Sequence, residues 1–77
     1  MELQIIKQSE EAVTILVGTK EFFIMKTDSY INVLCKNAAH SAYRGMGNFF
    51  DTWEQALNKY KSAAAKEAIK TAIDLLK

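Results

Sequence analysis

The chain has 77 residues, 49% of them hydrophobic and 25% charged, with no proline, three glycines, one cysteine and a formal charge of +1. That length suits one small domain, and the ordinary globular composition excludes a disordered, collagen-like or low-complexity chain. Apolar runs stay well short of the roughly 18 residues of a membrane span, Met1-Glu2-Leu3 does not open a secretory leader, and a lone cysteine closes no internal disulfide. The expected setting is therefore cytoplasmic, with no membrane partner.

Residues 3–8 begin with apolar and polar positions in alternation. After Ser9-Glu10-Glu11 comes a β-branched run over 12–17, whose inward set is Val13, Ile15 and Val17. Gly18-Thr19 marks a turn before 20–26, and Thr27-Asp28-Ser29 a second break before 30–36. Four short apolar runs joined by two or three polar residues predict an antiparallel β-meander, since a parallel crossover needs about a dozen linking residues. In 20–26 either Phe22/Ile24 or Phe23/Met25 could face inward. A strand apolar on both sides packs something on each, or keeps one side for a partner.

Residues 37–50 show no strong strand or helix period and read as a long loop. Asp51-Thr52-Trp53-Glu54 then has capping-box spacing with Asp51 as the cap. Trp53, Ala56, Leu57 and Tyr60 recur at helical spacing, as do Ala65, Ala68, Ile69, Ala72, Ile73 and Leu76. The centres of the two stripes differ by about 120° at 100° per residue. Two helices over about 52–61 and 63–76, with Ser62 capping the second, fit this better than one. The predicted fold is α+β, a four-stranded antiparallel meander covered by C-terminal helices.

So small a core, together with the rotated second stripe, favours a homodimer with Ile69, Ile73 and Leu76 at the contact.

Charge is unevenly placed. Residues 1–34 hold three lysines against five acids, whereas residues 35–77 hold seven basic residues against four acidic. The 37–50 loop contains His40, Arg44, Gly45 and Gly47. A glycine-flanked arginine before a helix start can grip an anion, but a bare Gly-x-Gly matches no phosphate-binding fingerprint and Asp51 would repel the ligand. The favoured reading of the glycines is local: Gly45 ends a helical turn over 38–44 and Gly47 makes a bend. Interleaved aromatic and basic residues suit single-stranded nucleic acid, because every base offers a face to stack. The expected contacts are Lys36, His40, Tyr43, Arg44, Asn48, Lys59 and Lys61. Phe49, Phe50 and Trp53 are expected in the core between sheet and helix. In order of elements alone, the arrangement resembles the Whirly-like and coactivator-type single-strand DNA-binding folds, although no motif of those families occurs in the chain.

Other chemistries fit less well. Cys35 with His40 lacks an orienting acid, and the chain has no second Cys/His pair to complete a zinc site. No catalytic residue, metal ligand or cofactor is assigned. The 63–77 segment has lysines offset by Glu67 and Asp74 and no aromatic anchor for a membrane surface. The sequence thus points to binding rather than catalysis: a single-stranded nucleic-acid contact, or alternatively a homodimeric interaction or assembly module.

Overall fold

The computed structural model describes residues 2–43 and 45–76. These form a five-stranded antiparallel sheet in sequential order, followed by two helices packed on one face. The strands are β1 (Leu3–Gln8), β2 (Ala12–Val17), β3 (Lys20–Lys26), β4 (Ile31–Asn37) and β5 (Asn48–Phe50). The helices are α1 (Trp53–Lys59) and α2 (Ala63–Leu75). Among the described residues no helix is long and apolar enough to cross a membrane.

The expected α+β meander with helical cover is present, with one addition. The end of the 37–50 loop is a strand, because Asn48, Phe49 and Phe50 pair with Val33, Asn32 and Ile31. Three residues are too few to show a period of two, so Phe49-Phe50 looked like a helix-flanking cluster. The helical turn expected over 38–44 does not form, and the described part of that segment is irregular.

Register settles which side of β3 faces inward. Phe22 lies opposite Ile15 and Ile24 opposite Val13, and all four are buried with Val17, Ile31 and Val33. Phe23 and Met25 take the other face. The edge strand β1 carries a bulge between Ile5 and Lys7, leaving Ile6 unpaired and 51% exposed. A bulge at an edge twists the strand and blunts its use as a template for pairing.

Both helices cover the same sheet face, α2 over β2 and β3, and α1 over β4 and β5. Ala65, Ala68 and Ala72 bring the α2 backbone close, so Phe22 and the sheet isoleucines fill most of the interior. The turn between the helices absorbs the rotation of the apolar stripe. Tyr60 is extended at φ −94°, ψ 130°, and Ser62 at φ −73°, ψ 146°. Ser62 Oγ accepts from the Ala65 N–H at 3.1 Å, as expected for a cap. Lys66 Nζ donates to the Leu57 carbonyl at 3.2 Å, satisfying an acceptor in the last turn of α1.

Two expectations about the helices also need correction. The α1 cap is Thr52, one residue later than Asp51: Thr52 Oγ1 accepts from the Gln55 N–H at 3.2 Å, and Gln55 Oε1 from the Asp51 N–H at 2.9 Å. The reciprocal bond thus uses Gln55 rather than Glu54. The second concerns Ile69, Ile73 and Leu76, expected between copies. Ile69 is fully buried and Leu76 is 5% exposed in the chain's own core, with Ile73 packed against it. The interhelix turn points the second stripe at the same sheet, so no partner is needed to cover it.

Candidate functional site

The sheet face opposite the helices is built from three rows across the strands. Phe49, Asn32, Met25 and Ala12 form the first, and Leu34, Phe23, Thr14 and Lys7 the second. Lys36, Glu21, Leu16 and Gln4 form the third. The middle of this face is apolar, and its charged positions are Lys7, Glu21 and Lys36. Phe23, Met25, Leu34 and Leu16 are partly buried, whereas Phe49, expected between sheet and helix, lies on this far face, 49% exposed, and stacks edge-on against Tyr30 with centroids 5.1 Å apart.

Between β4 and β5 the chain meets this face at Tyr43. The Tyr43 ring lies 6.3 Å from that of Phe23, and its hydroxyl donates to Glu21 Oε2 at 2.8 Å. Lys36 Nζ lies 3.4 Å from the same carboxylate oxygen, 5.4 Å from the Tyr43 ring centroid, and donates to the His40 carbonyl at 2.7 Å. Burial, the hydrogen bond to Glu21 and the charge of Glu21, with a smaller contribution from Cys35, push the Tyr43 hydroxyl well above its ordinary range.

The chain closes against β4 at Gly47, with φ +82°. A Cβ there would lie 2.6 Å from Asn32 Oδ1, 2.7 Å from Leu34 Cγ and 2.8 Å from the Val33 carbonyl oxygen. Close backbone approach excludes a side chain at this position. Beneath it, the buried Asn32 Oδ1 has no hydrogen-bond partner among the described residues.

The residues expected to contact nucleic acid fall on two sides of the sheet. Lys36 and Tyr43 meet on the open face, where His40 contributes its carbonyl and keeps its side chain exposed. Asn48 faces the helices and donates to the Tyr60 hydroxyl at 2.8 Å, and exposed Lys59 and Lys61 flank Tyr60. Burial raises the Tyr60 hydroxyl, the Asn48 hydrogen bond opposes it and Cys35 adds to it. Arg44 lies outside the described residues. Lys36 is already engaged by Glu21, and no single basic groove collects the described members of the set.

Sequence reading passed over Glu21, the acceptor for both Tyr43 and Lys36. Cross-strand counting outward from the 27–30 turn would have placed it opposite Lys36. Cys35 and His40 share a shallow hollow of about 360 Å³ with Lys20. The thiol is raised by desolvation, which Lys20 only partly offsets, so the hollow does not favour a reactive thiolate. Among the described residues no group of three His, Cys, Asp or Glu side chains is placed to hold a metal ion.

Fold and site together define a small sheet-and-helix domain with one packed face and one open face. Comparison with protein-family models, curated proteins and solved structures finds no match to this chain.

Proposed function

We propose that the protein is a self-associating interaction module whose open sheet face meets the same face of a second copy. The observation that carries this reading is the apolar cluster of Phe23, Leu34 and Met25 at the centre of the face opposite the helices, in rows that also hold Asn32, Thr14 and Lys7. Apolar side chains at adjoining positions gain by leaving water together. The charges on this face are few, one acid and two lysines at its registered positions, so it attracts polyanions only weakly.

Size sets the strength of the contact. Four strands about 20 Å long and the three-residue β5 about half that, spaced about 4.8 Å apart, give a footprint of about 400 Å². This is below the roughly 600 Å² per partner of the smallest standard interfaces, which sets a weak contact. A weak, concentration-dependent dimer is the expected outcome.

Sedimentation equilibrium of the wild type and of Phe23→Asp tests it. The wild type should dimerise in the micromolar-to-millimolar range and Phe23→Asp should remain monomeric. A wild-type monomer at every concentration, or an unchanged dimer in Phe23→Asp, would refute the reading. Titration with a single-stranded oligonucleotide at low salt covers the competing outcome: salt-sensitive binding lost in Lys59→Ala/Lys61→Ala would favour nucleic acid instead.

A further inference from the structure

We infer that the notch between Lys7 and Phe23, beside the β1 bulge, is a binding site for a small molecule carrying one aromatic ring and a carboxylate. This goes beyond the self-association reading and does not depend on it.

The notch follows from side-chain size along β2. On the open face the two β2 positions nearest the 9–11 turn are Ala12 and Thr14, and both are small. In the row through Thr14 the neighbours are long, Phe23 from β3 and Lys7 from β1. In the row through Ala12, Met25 stands on one side, and on the other β1 has already ended at Gln8. Small residues between taller ones leave a hollow of about 260 Å³, whose lining includes Lys7, Ser9, Ala12, Thr14 and Phe23. Pockets for drug-sized molecules begin at about 300 Å³, so this one suits a single ring.

The bulge brings the charge to the notch. Regular pairing continued from Ile5 and Ile15 would set Ile6 opposite Thr14, and Lys7 opposite Val13 on the helix side. The extra residue sets Lys7 opposite Thr14 instead, on the open face. Bulges re-aim side chains in this way and are over-represented beside functional sites. Lys36 on the same face is paired with Glu21, whereas Lys7 has no ion pair among the described residues. Glu10 and Glu11 in the adjoining turn do not line the notch. Its one charged group is therefore a cation, next to an aromatic ring and the Thr14 hydroxyl. A ligand ring covers Ala12 and Thr14 against Phe23, and its carboxylate meets the Lys7 ammonium. A ligand cation finds no charged partner there.

A half-open hollow that holds one ring supports an affinity of about 1–10 mM. The test is an amide-resolved NMR titration of full-length wild type, Lys7→Gln and Thr14→Leu with phenylacetate, and of wild type with phenethylamine. We expect saturable phenylacetate shifts centred on Lys7, Ala12, Thr14 and Phe23, and weaker binding of the amine. Lys7→Gln should bind phenylacetate about two- to fivefold more weakly, the range of an exposed ion pair. Thr14→Leu fills the notch and should abolish binding. Ala12→Leu, which fills it from the next row, takes its place if the Thr14 variant loses the wild-type spectrum. Absence of saturable shifts up to about 50 mM phenylacetate would overturn the site. So would shifts centred elsewhere, equal affinity for phenethylamine, or undiminished binding in Lys7→Gln or in the folded notch-filling variant.

Discussion

Gly47→Ala is the sharpest test of how closely the chain before β5 meets the sheet. A non-glycine residue at a left-handed φ costs about 1–2 kcal/mol. At Gly47 the added methyl also meets Asn32, Leu34 and the Val33 backbone oxygen at 2.6–2.8 Å. The two side chains can shift, but the carbonyl belongs to a strand paired on both sides and cannot retreat without loss. Overpacking of this kind costs about 1–3 kcal/mol, for a total near 2–5 kcal/mol. Gly45 supplies the internal control, since φ is +71° there and a Cβ meets nothing within 4 Å. Gly45→Ala should therefore lose only the backbone contribution of about 1–2 kcal/mol. Urea unfolding of both variants and the wild type measures the difference, provided the denaturant slopes agree. A chain of 77 residues has about 4–12 kcal/mol of stability in all, so the Gly47 loss is a large fraction of it. Equal losses at the two glycines would refute the close-approach argument and leave only backbone conformation.

Three further outcomes follow from the packing. Ile69→Ala should cost about 2–5 kcal/mol in urea unfolding, whereas Ile6→Ala on the bulged edge should change stability by less than about 0.5 kcal/mol; a mutant of Ile69 that altered association alone would restore it to an interface. Asn32→Leu should stabilise the fold by about 1 kcal/mol, because Oδ1 is desolvated without a donor; a clear destabilisation would reveal a partner for that amide. Tyr43 has its folded pKa raised above the unfolded value of 10.0, so its contribution is complete below pH 10 and is lost as pH climbs through the folded value. Wild-type denaturation midpoints should accordingly fall more steeply above pH 10 than those of Tyr43→Phe, and parallel curves would contradict the assignment.

The meander was legible because polar breaks at 9–11, 18–19 and 27–29 separate runs too short for helix and too closely linked for parallel pairing. Val13, Ile15 and Val17 declared their face by alternation, and Ser62 declared the second helix by its capping chemistry. Phe22-Phe23-Ile24-Met25 could not declare a face, since four consecutive apolar residues have no period. The candidate site was legible only in parts. Lys36 and Tyr43 were singled out as residues of chemical interest, but their joint partner, Glu21, lies in a strand from which no ligand contact was expected. Strand register brings it opposite Lys36, and the return of the chain after β4 brings Tyr43 to both.

By itself the sequence determined the local elements, because turn residues, alternation and caps act over a few neighbouring positions. Tertiary structure decided where those elements aim. The two extended residues at Tyr60 and Ser62 turn α2 so that Ile69 and Leu76 meet the same sheet face as Ala56. The helical stripes, rotated by about 120° along the chain, therefore need no second surface. What the helices leave uncovered is the far side of the sheet: placed on one face, they bury one set of alternating strand residues and leave the other to Tyr43 and its neighbours.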